Sequence, residues 1–175
     1  MKKKAEIVEI PKRKLLAASG EGQPGGELFQ ALIGALFTMA WSIKMKRKSA
    51  GEETFKMAQL EGTYESMTKW TLAIEVPDCV TATEVKKTAS ELIAKGKPES
   101  VRQVALITQK KQRCVQMLHV GPYADEPRTI DAMTAFAAGQ GLGLAGPHHE
   151  IYYSDPGRVA PEKLKTVLRY PVRRL

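Results

Sequence analysis

The apolar positions along the chain change period several times, and each change marks an element. Residues 6–10 alternate apolar and polar and stop at Pro11, which predicts a short strand. Residues 15–19 resume the extended pattern and run into a Gly-rich turn over 20–26. That turn lacks the Lys-Ser/Thr pair of a phosphate loop. Across 28–45 the polar and small positions Gln30, Gly34, Thr38 and Ser42 recur at every fourth place. This spacing predicts a helix, apolar on most of its circumference, buried on more than one side, with Trp41 in the core. The stretch is shorter than a membrane span and ends in the basic run 44–48, so a core helix is expected. Residues 55–64 and 70–76 predict strands, with Trp70, Leu72, Ile74 and Val76 sharing a face of the second. Thr81 and Glu84 have the spacing of a capping box, and the helix they open stops at Gly96.

The second half repeats this order. Residues 104–107 and 114–120 flank a polar turn and predict a hairpin. Asp125 and Glu126, just before Pro127, suit the first turn of a helix whose apolar face is Ile130, Met133, Phe136 and Ala137. Gly139, Gly141 and Gly143 end that helix. Between Pro147 and Pro156 a strand is expected. Alternation puts His148, Glu150 and Tyr152 on one of its faces and His149, Ile151 and Tyr153 on the other. A final strand covers 164–172 after a turn at 161–163.

Strand pair, turn, helix, strand, strand thus occurs twice, over 5–77 and 103–175, with the helix at 81–96 as connector. The expectation is a single α+β domain of tandem βαββ repeats with pseudo-two-fold symmetry. Its antiparallel sheet carries helices on one face and leaves a ligand cleft between the halves. Glu61 and Glu150 fall in corresponding strands, so both are expected to face that cleft.

Charge and cysteine content narrow the function classes. The net charge is +8, but the basic clusters are scattered over ends and turns. No helix-turn-helix, zinc-finger or aromatic RNA-binding signature accompanies them, so direct nucleic-acid binding is not expected. The charge is assigned to solubility. Cys79 and Cys114 lie far apart without metal-ligand spacing. No signal peptide or membrane segment is read, and a reduced, cytoplasmic protein is expected. His148 and His149 point to opposite faces and no third ligand is evident, so neither a metal nor another cofactor is expected. His119, Asp155, Asp125 and Glu126 are assigned to turns and a helix start.

Several segments together resemble the GyrI-like small-molecule-binding domain family. They are Leu118-His119-Val120-Gly121-Pro122-Tyr123, Asp125-Glu126-Pro127, His148-His149-Glu150-Ile151-Tyr152, Ser154-Asp155-Pro156 and Pro161-Glu162-Lys163-Leu164-Lys165-Thr166. Leu60-Glu61-Gly62 and Trp70 with Pro77-Asp78 extend the likeness over nearly the whole chain. The resemblance implies the tandem fold and its cleft. It includes effector-binding domains of multidrug-responsive regulators, where a Glu on the strand matching Glu150 meets cationic aromatic drugs. It also includes stand-alone proteins, some similar to hydrolases that open cyclopropane rings of DNA-alkylating toxins. By this likeness Glu61 and Glu150 are pocket acids, or the catalytic pair if the protein is an enzyme. Tyr64, Trp70, Tyr123 and Tyr152 are then wall residues. The expected activity is holding a small hydrophobic or cationic aromatic ligand, for drug or toxin sensing or sequestration, with toxin hydrolysis as the alternative. The family name further implies an inhibitory protein partner, DNA gyrase. A buried carboxylate selects ligands that bring positive charge, and a ring face adds cation–π attraction of roughly 0.5–2 kcal/mol.

Overall fold

A computed structural model describes residues 3–175, and among them three α-helices and nine strands form. The strands are β1 Glu6–Ile10, β2 Arg13–Glu21, β3 Leu60–Tyr64, β4 Lys69–Val76, β5 Ala105–Gln109, β6 Gln112–Val120, β7 Leu142–Leu144, β8 His148–Tyr152 and β9 Lys165–Arg174. The helices are α1 Glu27–Ser49, α2 Ala82–Ala94 and α3 Glu126–Gly139. All registered pairs are antiparallel, and the fold is α+β as expected.

Residues 12–60 and 66–110 make one compact unit. Here β2 lies between β4 and β5, and α1 packs against β2, β4 and α2. Leu32, Leu36, Met39 and Ile43 are fully buried along one side of α1. Each contributes roughly 1.5–3 kcal/mol of transfer free energy. The other side stays in solvent, with Phe37 40 % and Trp41 54 % exposed. The expectation of burial on more than one side, with Trp41 in the core, is corrected. The two layers beside α1 cover only the stripe that faces them, and Lys44 lies over the Trp41 ring instead, 5.6 Å from its centre. At α2, Thr81 Oγ1 accepts the Glu84 N–H at 3.1 Å. The Glu84 carboxylate does not return the bond; it binds the buried Arg47 at 2.8 Å.

Residues up to 11, with 61–65 and 111–175, make the other unit. Its strand order is β1-β6-β9-β8-β3, with β7 also paired to β9. Helix α3 contacts β1, β6, β7 and β9, and Val115, Met133, Ala137, Leu142 and Leu168 form the core beneath it. The units cut across the halves read from sequence: β1 and β3 belong with the second half, β5 with the first.

The expected hairpin is absent. Strand β5 pairs with β2, while β6 pairs with β1 and β9. Only Lys110 and Lys111 join β5 to β6, and a two-residue hairpin turn needs positive φ, which no non-Gly residue here adopts. The strand expected over 55–64 is confined to β3, and the glycine run read as a terminator contains β7.

Candidate acidic and aromatic site

Strand alternation on β8 sets the site. Glu150 lies opposite Leu168 of β9, whose side chain belongs to the core under α3, so His148, Glu150 and Tyr152 all point to the α3 side. Gly62 of β3 faces the same way. A Cβ there would stand 2.8 Å from the Tyr152 hydroxyl and 2.9 Å from the Tyr64 ring. The missing side chain is what lets the Tyr64 and Tyr152 hydroxyls meet in a short hydrogen bond. Tyr123, in the 3-10 turn before α3, meets Tyr152 edge-on at 6.5 Å and is 40 % exposed, so it forms the solvent rim.

Two further groups complete the cluster. His148 Nε2 stands 2.9 Å from Glu150 Oε1 and 3.9 Å from Glu126 Oε2. The carboxylate only accepts, so the imidazole donates to Glu150. Glu126 enters from the first turn of α3 and is 7 % exposed, and its Oε1 has no hydrogen-bond partner. Burial, reinforced by the negative charge of Glu150, pushes the Glu126 carboxyl up to about 8. Burial and the Glu150 charge likewise push Tyr64, Tyr123, Tyr152 and Tyr170 upward, so these phenols keep their protons and serve as donors. Tyr170 of β9 closes the group, its ring 4.9 Å from that of His148. Among the described residues no Lys or Arg pairs with Glu126 or Glu150.

Four of the residues singled out from sequence therefore come together: Glu150, Tyr64, Tyr123 and Tyr152. Glu61 does not share their face, and the expectation that both acids look into one cleft is corrected. It bonds His149 Nε2 at 2.8 Å, on the opposite side of β8, because β3 and β8 are paired with Gly62, not Glu61, facing Tyr152. Trp70 also stands apart. It is buried in the unit built on β2, donates Nε1–H to the Gly22 carbonyl at 3.0 Å and packs edge-on to Phe29. Its indole lies so close over Gly20 that a Cβ there would overlap it. Glu126, His148 and Tyr170 were missed. Period-two alternation already placed His148 beside Glu150; what was missing was the third group, since Glu126 was read as a helix-start acid. The expectation that His148 lacks a third ligand partner is corrected too: Glu126, His148 and Glu150 each offer a donor atom, all within 4.8 Å of one another.

His119 keeps the structural role read from its position. Nδ1 meets Thr129 Oγ1 at 2.9 Å and Nε2 meets the Pro122 carbonyl at 3.1 Å, tying the turn to α3. Asp155 accepts the Gly157 N–H at 2.8 Å within its turn. The two described cavities lie elsewhere, along α1 and α2, lined by residues such as Lys46, Glu91, Arg47 and Glu84. The acids and bases there pair with one another, at 2.7 Å for Lys46–Glu91 and 2.8 Å for Arg47–Glu84, so the acids of the β8 cluster, which have no Lys or Arg partner among the described residues, are the stronger candidate.

Comparison with known proteins agrees with this architecture. The model of the GyrI-like small molecule binding domain matches residues 3–173. A hydrolase from Listeria innocua, known from its crystal structure, is 33 % identical. The alignment covers 98 % of this chain and 93 % of that one, with a TM-score of 0.90. An uncharacterized conserved protein from Listeria innocua is 34 % identical over the same shares, with a TM-score of 0.89. The EcmrR C-terminal domain, 12 % identical over 98 % of both chains with a TM-score of 0.63, shares the fold. No curated protein matches the chain. The chain belongs to the GyrI-like small molecule binding domain family.

Proposed function

We propose that the protein binds a small aromatic molecule carrying positive charge or hydrogen-bond donors at Glu126 and Glu150. The observation that carries this reading is two adjacent acids, Glu126 buried and Glu150 half-buried, without a Lys or Arg partner and ringed by tyrosines. A largely desolvated carboxylate such as Glu150, with no Lys or Arg beside it, costs free energy that a cationic ligand returns, while Glu126, which keeps its proton, offers a hydrogen bond. The Tyr64, Tyr123 and Tyr152 ring faces add cation–π attraction. Glu61 and Trp70 support the fold and do not touch the ligand. Sensing or sequestration of drugs or toxins is the role that suits such a site.

The test is fluorescence quenching of the protein by a rhodamine-like dye. Saturable binding is expected in the wild type. It weakens about tenfold or more in Glu150→Gln, as loss of a charge-assisted contact of roughly 1.5–3 kcal/mol requires. Unchanged affinity in that variant would overturn the assignment.

A second reading, hydrolysis of cyclopropane-bearing alkylating compounds, is favoured by the 33 % identity to the Listeria hydrolase and by two adjacent acids. Glu150 would take a proton from water while the water oxygen bonds a ring carbon. The strained C–C bond breaks, its electron pair passes into the conjugated ring system, and protonated Glu126 returns a proton there. A water adduct seen by mass spectrometry, lost in Glu150→Gln, supports this reading. Stoichiometric protection without product supports binding alone.

A further inference from the structure

We propose that Glu126, His148 and Glu150 form a binding site for a first-row divalent metal ion, Zn²⁺ suiting the donor set best. The proposal does not rest on the organic-ligand reading, although both use Glu126 and Glu150: an ion needs only these two and His148. Two carboxylates and one imidazole are the donor number and type of an open zinc site, with the remaining position left for water.

The geometry points the same way. His148 Nε2 is 2.9 Å from Glu150 Oε1 and 3.9 Å from Glu126 Oε2. Tetrahedral donors at zinc–ligand bonds of about 2.0–2.1 Å stand roughly 3.3 Å apart. The two separations from His148 bracket that value, and all three donor atoms lie within 4.8 Å of one another, so side-chain rotation that draws the two carboxylates together completes the set. The site is not merely acidic. Glu126 is 7 % exposed and its Oε1, though buried, has no partner, an arrangement that a cation resolves and that protein groups here do not. The Tyr170 ring packs against His148 at 4.9 Å and holds the imidazole in place. Glu126 comes from α3 and the other two donors from β8, all within one compact unit.

The test uses the full chain, stripped of metal and titrated with Zn²⁺ by calorimetry. One equivalent is expected to bind. The affinity should fall about tenfold or more in Glu126→Gln and in His148→Gln, and stay unchanged in Cys79→Ser, which removes a competing soft donor. Because a variant can fail to fold, the wild type supplies a second readout. The chain has three histidines. In a long-range proton–nitrogen NMR spectrum Zn²⁺ should shift the His148 imidazole and leave His119 and His149 in place. No binding at millimolar Zn²⁺, binding lost in Cys79→Ser, or a shift confined to His119 or His149 would each overturn the proposal. Dye binding measured with a chelator present reports on the organic-ligand reading separately.

Discussion

Glu126 holds its proton because its carboxyl enters a buried place already occupied by the charge of Glu150. Its ordinary value of 4.5 rises to about 8 on folding. A group whose folded pKa is raised contributes stability that is fully present below the unfolded value and lost as pH rises through the folded one. Between pH 4.5 and 8 the folded chain therefore loses stability through this residue as pH rises. In chelator-treated buffer, Glu126→Gln should gain on the order of 2–4 kcal/mol relative to wild type at pH 8 and above, the gain shrinking toward pH 5. Denaturant unfolding at two pH values checks this; a gain independent of pH would contradict the assignment. Glu61 behaves differently. Its pair with His149 is buried on both sides, at 5 % exposure each. Glu61→Gln should cost on the order of 1–3 kcal/mol in unfolding while leaving ligand affinity within about twofold. At this scale the sequence disclosed Tyr64, Tyr123, Tyr152 and Glu150 through motif and alternation. It concealed Glu126, because an acid before a helix proline has an ordinary capping use that satisfies every local rule.

The elements show where pattern sufficed and where it did not. Period two on β8 put His148, Glu150 and Tyr152 on one face, and that face lies on the side of the core under α3. It did not predict the phase of β3 against β8. That phase depends on Gly62 leaving room for the Tyr152 hydroxyl, a contact between distant parts of the chain. The pairing of β5 was hidden for the same reason, since partner choice is set by a turn that cannot close. Trp70 illustrates close approach. Gly20→Ala would drive a methyl into the indole, and a loss of roughly 1–3 kcal/mol is expected by thermal or denaturant unfolding. Wild-type stability in that variant would mean that the indole moves without cost. The half-formed capping box on α2 predicts a further separation. Thr81→Ala should destabilise by about 1 kcal/mol through the lost Glu84 N–H bond, with the Arg47–Glu84 pair intact.

For the whole molecule, the family membership and the α+β antiparallel architecture were both legible from spaced motifs and element order. The composition of the compact units was not, because β1, β3 and β5 are each assigned by pairings that lie far away in sequence. What the protein recognises follows from one contrast between two glutamates in adjacent strands. Glu61 is paired with the buried His149, whereas Glu150, bonded to His148, and Glu126 share a tyrosine-lined place without a Lys or Arg partner. The most direct measurement is the affinity for a rhodamine-like dye determined side by side in wild type, Glu150→Gln and Glu61→Gln. The account predicts a drop of about tenfold or more for Glu150→Gln and a change of at most about twofold for Glu61→Gln. Equal losses in both variants, or a loss in Glu61→Gln alone, would contradict it.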